Sequence, residues 1–370
     1  MGSWLKPRVL AHRTGNDIQP HCARWPACGS LKLFALVRLW ANQTIGGRLK
    51  ILMCLVFATF ATGNALGSVA KLKFDAVNDP ALVEPVGGRA SAAAVLRAQI
   101  LLQRAFFSVG EIDAGFGSNT RKAIAAYQAR QGLAVSGVLD AASWAALNRD
   151  AAPVLLRYTL SAADVAGPFV QLPKDMMKKA ALPALGYESA LEGLAEKFHS
   201  SPKLIQLLNP GVNLTRADQE IIVPAVEGMP ALAKAAKVVV DRSESTVTLL
   251  DASGQVLSHY PASTGSEHDP LPVGEWKIQA IAPNPSFHYN PKLFWDADPK
   301  HAKAKIPAGP NNPVGVVWVD LSKEHYGIHG TPEPSRVGKS QSHGCIRLTN
   351  WDAKAMSEAV ATGITALLQE

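Results

Sequence analysis

The chain has 370 residues, 47% of them hydrophobic and 18% charged, globular values that exclude a disordered or fibrous chain and leave room for two or three domains. The formal net charge of +7 is carried by the N-terminus: residues 1–66 hold eight Lys/Arg against the single acid Asp17, and the rest is neutral with 29 of each sign. The basic balance is therefore no argument for a nucleic-acid partner.

In chain order, residues 1–70 read as an N-terminal extension that ends in a signal peptide or an uncleaved anchor. Arg48 and Lys50 precede the apolar run 51–61, and small residues follow, with Gly63-x-Ala65 and Ser68-x-Ala70 as cleavage candidates. The run is short for a membrane span. The expected location is the periplasm or cell envelope, reached by secretion or by a tether to the inner membrane. Cys22 and Cys28 have no second ligand pair for zinc. Cys54 lacks the small residue that precedes a lipidated cysteine. Cleavage after this segment leaves Cys345 with no internal disulfide partner, so it is either an inert buried thiol or a reactive one.

Residues 71–90 read as a linker. Over 91–150 the pattern is helical: Leu96, Gln99, Ile100, Gln103 and Phe107 share one face. A glycine-rich loop follows, then a helix capped by Ser118 or Asn119 with Ala123, Ile124 and Tyr127, and a short helix capped by Asp140 with Trp144 and Leu147. This stretch, "LQRAFFSVGEIDAGFGSNTRKAIAAYQARQGLAVSGVLDAASWAAL", resembles the peptidoglycan-binding domain of the PG-binding-1 type, including both glycine turns and the Tyr127-Gln128 pair. Residues 151–184 are a connecting segment. Residues 185–226 read strand, helix, helix, strand, with Ser189 and Ser201 as caps and Pro202 at a first helical position. They are similar to a LysM-type module, either binding glycan or acting as a spacer.

From 236 to 370 the hydrophobic period becomes two. Six strands are expected, the last at "YGIHG", with a closing helix from Asp352. The expected architecture is multidomain α+β: a three-helix peptidoglycan-binding bundle, a small LysM-like βααβ module, and a C-terminal mostly-β domain of sandwich or barrel-like form.

Cys345 lies in "SHGCIR" and His329 in "YGIHG". A thiol needs a base to become a nucleophile near neutral pH. His329, at the end of a strand, and His343, two residues before the cysteine, are the candidates. Backbone N–H groups at a tight Gly344 turn can hold an oxyanion. No closely spaced His/Asp ligand set suggests a metal.

"YGIHGTPEPSRVGKSQSHGCIRLTN" closely resembles the signature of the L,D-transpeptidase catalytic domain (YkuD type), and "PLPVGEWKI" resembles its Thr-Pro-x-Gly strand with Leu271 in place of Thr. The resemblance covers about 237–368. It implies a cysteine enzyme without metal or cofactor, acting on peptidoglycan. Cys345 is then the nucleophile on the meso-diaminopimelate–D-Ala bond of a tetrapeptide stem, and His329 the general base and acid. Gly344 lends oxyanion backbone, and His343 orients the imidazole. Arg347, Ser342 and Gly330 fall to the substrate-binding surround, where Arg347 either holds the loop or meets a carboxylate and Ser342 also shapes the turn. The acceptor is an amine of a second stem, giving a 3→3 cross-link, or of a wall-attached lipoprotein. The alternatives are an L,D-carboxypeptidase on the same fold, in which water resolves the acyl-enzyme, and a catalytically inactive wall-binding protein.

Overall fold

The structure, a computed structural model, describes residues 72–370. The expected signal or anchor, with Cys22, Cys28 and Cys54, lies outside the described residues. Among the described residues no helix is long and apolar enough to cross a membrane.

A short helix α1 (Phe74–Asn78) leads into α2 (Ala92–Arg104), α3 (Ser118–Arg130) and α4 (Ala141–Leu147). Side chains of Ser91 and Asp140 accept first-turn N–H groups of α2 and α4, which otherwise lack helical partners. Helix α3 starts at Ser118 with Gly117 in the cap position, so neither Ser118 nor Asn119 caps it. Asn119 instead donates to the Val337 carbonyl at 3.0 Å. Two buried glutamines bracket the glycine turns. Gln99 binds Asp113 and Gly115 through its amide nitrogen and accepts from the N–H groups of Asp113 and Ala114. Gln128 does the same for Ser136, Gly137 and Val138. The Tyr127-Gln128 pair is thus structural, with both residues buried.

The helical spacing extends to Phe107, but α2 ends at Arg104 and Phe106 takes φ +63°. The chain then turns into the C-terminal domain: Ser108 N–H donates to the His259 carbonyl at 2.8 Å, and His259 N–H to the Phe106 carbonyl at 2.9 Å.

Strand β1 (Leu155–Thr159) is followed by the short helices α5 (Ala162–Val165) and α6 (Met176–Ala180), then α7 (Ala190–Lys197), α8 (Pro202–Leu208) and β2 (Glu220–Pro224), which pairs antiparallel with β1. The βααβ order expected over 185–226 is therefore opened at Leu155. Residue 185 is in no strand; Leu185 only exchanges backbone bonds with Ala308 and Asn311. Only Leu155 of β1 is fully buried, so the strand carries no alternation that would mark it in the sequence. Phe198, Leu204, Ile205 and Val223 share one buried cluster with Leu96, Ile100 and Trp144. The two N-terminal modules thus fold around one core.

The C-terminal domain contains β3 (Lys237–Asp241), β4 (Thr246–Leu250), β5 (Val256–Pro261), β6 (Gly274–Pro283), β7 (Phe287–Tyr289), β8 (Ala304–Ile306), β9 (Val317–Leu321), β10 (Gly327–His329), β11 (Ile346–Arg347), α9 (Asn350–Ala359) and β12 (Thr365–Gln369). Eight strands form one sheet in the order β11-β10-β9-β6-β12-β3-β4-β5, and β7 with β8 forms a separate hairpin. Strand β6 belongs to both halves. Its residues 274–277 pair with β12 and 278–283 with β9, across a register shift between Ile278 and Ala280, the kind of bulge that bends a sheet. Past β5, Ser263 exchanges both backbone bonds with Arg347 of β11, at 3.0 and 2.9 Å. This contact curls the sheet back on itself and gives the expected barrel-like form. Helix α9 starts at Asn350, two residues earlier than expected, with Thr349 as its cap, and puts Ala353, Met356 and Ala359 into the sheet's core.

Asp352, in the first turn of α9, is fully buried and accepts from Ser108 Oγ at 2.7 Å and Gln103 Nε2 at 3.4 Å. Burial lifts this carboxyl to about 6. A folded-state value above the unfolded one means that the group favours folding at low pH and loses that contribution as pH rises through about 6. We expect Ser108→Ala to cost about 1 kcal/mol at pH 5, where Asp352 is mostly protonated, and about 2–3 kcal/mol at pH 8, where a carboxylate loses a donor. Urea unfolding at the two pH values checks this; an equal loss at both would contradict it.

Candidate active site

Strand β10 lies between β9, antiparallel with His329 opposite Trp318, and β11, parallel with Ile328 opposite Ile346 and His329 opposite Arg347. Side chains alternate along a strand. Ile328 and Ile346 enter the core, so Gly327, His329 and Arg347 share the opposite face. Cys345, one residue before β11, falls on the face of Arg347, and the Gly327 N–H is directed at its thiol. The parallel register thus brings Cys345 and His329 to one face.

The His329 imidazole is buried. Its Nδ1 lies 2.6 Å from the Gly330 carbonyl. A carbonyl can only accept, so Nδ1 carries the proton and Nε2 keeps its lone pair. The Trp318 indole stacks on the ring at 5.4 Å between centroids. A Cβ at Gly327 would stand 2.5 Å from Trp318, so only glycine lets the indole lie there.

The turn before the thiol is closed by Ser342, whose hydroxyl donates to the Cys345 carbonyl at 2.5 Å and whose N–H donates to the Gly265 carbonyl at 3.2 Å. Gly344 has φ +93°, and a Cβ there would meet Tyr326 Cε1 at 2.8 Å. Both backbone strain and the Tyr326 ring therefore require glycine. The N–H groups of Gly344 and Cys345 donate to no backbone carbonyl among the described residues. The thiol itself approaches the His325 carbonyl at 3.6 Å.

Burial raises the Cys345 thiol above its ordinary value, the Gly327 N–H and Arg347 only partly opposing it. Burial, reinforced by Arg347, lowers His329 to about 3. Both groups are accordingly held toward their neutral forms, and the thiol's hydrogen bond goes to the His325 carbonyl and not to the imidazole. The Arg347 guanidinium is pulled down by burial and forms no salt bridge among the described residues.

Three expectations change. His343 does not orient His329: Gly344 breaks the strand, and the His343 ring turns to Asp296, 2.9 Å from its Nε2, and to Phe294, 5.4 Å between centroids. The Gly330 carbonyl and Trp318 hold His329 instead. Ser342 is buried and spends its hydroxyl on the turn, the turn-shaping one of its two expected roles. Gly330 serves by its carbonyl, and by leaving room for Asn350, whose Oδ1 would lie 2.2 Å from a Cβ there.

Tyr326, Trp318 and Asp296 were not found from the sequence. Tyr326 begins the "YGIHG" strand, where an aromatic before glycine was a usable signal. Trp318 required the β9–β10 register. Asp296 required the fold of the β7–β8 hairpin, which rests on residues 172–185 through Leu185, Tyr289 and Ile306. There His301 donates from Nε2 to Asp175 at 3.3 Å and accepts from the Tyr289 hydroxyl at 3.0 Å.

The C-terminal domain is thus a closed, mostly-β sheet with a cysteine and a histidine on one face, joined to a helical module. Residues 235–367 match the "L,D-transpeptidase catalytic domain" (YkuD), and residues 91–147 match the "Putative peptidoglycan binding domain" (PG_binding_1). The "Putative L,D-transpeptidase YkuD" of Bacillus licheniformis is 30% identical over 175 residues, 47% of this chain and 89% of that protein. Its namesake in Bacillus subtilis is 28% identical over 174 residues, with the same coverage of 47% and 89%. A solved L,D-transpeptidase from Mycobacterium smegmatis aligns over 42% of this chain and 75% of that one, at 22% identity and a TM-score of 0.30, too loose a superposition to bear on the fold. The chain belongs to the YkuD-type L,D-transpeptidase family.

The electrostatics predict the reactivity of the resting thiol. Alkylation of Cys345 by iodoacetamide should rise about tenfold per pH unit from pH 7 to 9, because burial raises the thiol above its ordinary value and His329 stays neutral throughout. A plateau beginning between pH 5 and 7 would reveal a preformed thiolate–imidazolium pair and contradict this arrangement.

Proposed function

We propose that this member of the family is a cell-wall L,D-transpeptidase of the periplasm in which Cys345 is the nucleophile and His329 its base. The observation that carries the reading is the β10–β11 register, with the free Nε2 lone pair on the same face as the thiol. His329 Nε2 takes the thiol proton as Sγ attacks the carbonyl of the meso-diaminopimelate–D-Ala bond. The resulting oxyanion is held by the N–H groups of Gly344 and Cys345. The C–N bond breaks, Nε2–H protonates the departing D-Ala amine, and a thioester remains. An acceptor amine then attacks the thioester, its proton passes to Nε2, and the proton returns to sulfur as the C–S bond breaks. Arg347, unpaired and on the same face, suits a stem carboxylate. The acceptor is the side-chain amine of a second stem, giving a 3→3 cross-link, or an amine of a lipoprotein. The helical module keeps the enzyme on the wall, and the basic-then-apolar stretch at 48–61 supports export.

The test is intact mass after incubation with a carbapenem, followed by product analysis with disaccharide-tetrapeptides. A stoichiometric adduct on the native protein that is absent in Cys345→Ala, together with new muropeptide dimers, is the expected result. Tripeptide without dimers would mean that water resolves the acyl-enzyme. A folded protein with no adduct would reduce it to a wall-binding protein. His329→Ala should slow acylation by about 10²–10⁴-fold. Gly344→Ala, which displaces the turn against Tyr326, should slow it by about 100-fold with the fold retained by circular dichroism; an unchanged rate would exclude Gly344 from the oxyanion turn.

A further inference from the structure

We propose that Asn350, the first residue of α9, is a positioning residue for His329: its carboxamide holds the Gly330 carbonyl in the direction that fixes the imidazole tautomer.

The need for such a device follows from where the sheet stops. Strand β10 ends at His329. Backbone bonds still tie the atoms just past it: the His329 carbonyl accepts from the Leu348 N–H at 2.8 Å, and the Gly330 N–H donates to the Val317 carbonyl at 3.3 Å. The Gly330 carbonyl lies beyond these bonds. It accepts from no backbone N–H among the described residues, and it faces His329 Nδ1 at 2.6 Å. Glycine leaves its own backbone rotation freer than any other residue does. The direction of this carbonyl is therefore set by packing and not by the ladder.

Asn350 supplies that packing. The residue is 2% exposed and fills the space that a side chain on Gly330 would take. A Cβ on Gly330 would stand 2.2 Å from Asn350 Oδ1, and one on Gly315 would stand 2.0 Å from the same atom. Two glycines thus close on one oxygen. Gly315, at φ +62°, also leans on the Gly330 carbonyl carbon, which lies 2.6 Å from the Cβ position of Gly315. The carboxamide is itself held at both ends. Oδ1 accepts from the Val316 N–H at 3.2 Å, and Nδ2 donates to the Pro310 carbonyl at 3.1 Å. The start of α9 is fixed as well. Thr349 Oγ1 accepts from the Asp352 N–H at 3.2 Å, and Asp352 is anchored to Ser108 of the helical module.

The consequence reaches the ring through one bond. With the carbonyl in place, Nδ1 keeps its proton and Nε2 its lone pair. With the carbonyl turned away, a buried Nδ1–H has no acceptor, an unfavourable state that the imidazole leaves by carrying its proton on Nε2. That nitrogen can then donate but cannot take a proton from the thiol. The tautomer follows from the geometry alone; its effect on rate rests on the transpeptidase reading.

The test reads the His329 ring of the full chain, ¹⁵N-labelled at histidine, by long-range ¹H–¹⁵N correlation at neutral pH, with His329→Gln for assignment. The native protein should carry the proton on Nδ1. Asn350→Ala should move a measurable share of it to Nε2 and slow carbapenem acylation of Cys345 by at least about tenfold. Alkylation of Cys345 by iodoacetamide in alkaline buffer should be unchanged, since the thiol's own surroundings are intact. Thr349→Ala removes the cap of α9 and weakens the helix, but should leave the proton on Nδ1. Asn350→Ser, which keeps a polar first turn and withdraws the oxygen from Gly330, is read in the same way should Asn350→Ala not fold. A proton that stays on Nδ1 in the Asn350 variants overturns the proposal, whatever the rate. So does an equal change of tautomer in Thr349→Ala, or a changed tautomer with undiminished acylation. Loss of the fold in both Asn350 variants assigns the residue to stability and overturns the proposal too. If the native protein is not acylated while Asn350→Ala still moves the proton, the positioning of the ring stands and the catalytic reading falls.

Discussion

Everything in the candidate centre hangs on two residue pairs: Ile328 opposite Ile346 and His329 opposite Arg347. A parallel ladder this short is not stable by itself. It persists because β9 holds β10 on one side, Ser263 holds Arg347 on the other, and both isoleucines are buried, each contributing about 1.5–3 kcal/mol. A slip of one residue would turn His329 into the core and an isoleucine outward, so the hydrophobic cost protects the register. Cys345 and His329 are thus aligned by apolar packing on the opposite side of the sheet.

That alignment has an electrostatic counterpart. The same enclosure that positions Cys345 and His329 disfavours charge on either. Under the proposed chemistry, transfer of the thiol proton would then be coupled to attack on a carbonyl that accepts the sulfur electrons. In this arrangement Gly330 is as consequential as the residues beside it: its carbonyl selects the tautomer that leaves Nε2 open. The buried guanidinium of Arg347 favours the thiolate and opposes an imidazolium, so it pushes the proton off both groups.

The sequence made the centre legible where the chemistry is local and hid it where the contacts are distant. Cys345 and His329 stood out because glycines flank both and because their motif is compact. The caps at Asp140, Ser189 and Ser201 were legible because an N-cap acts within three residues. The helical period that includes Phe107 is not realised because a contact with His259, far along the chain, overrides it. Strand β1 was missed because only one of its residues is fully buried. The family resemblance gives His343 an orienting role, whereas the turn at Gly344 sends its ring to Asp296. Trp318 and Tyr326 become functional neighbours only once the strands are in register.

The strand β5 would be an open edge of the sheet, and in this chain it is occupied by Phe106–Ser108 of the helical module. Open edges invite pairing with other chains. The β7–β8 hairpin, in turn, rests on the segment between β1 and α7. In this chain the C-terminal domain therefore leans on both N-terminal pieces: cutting it away would bare the β5 edge and leave the β7–β8 hairpin without the residues it packs on.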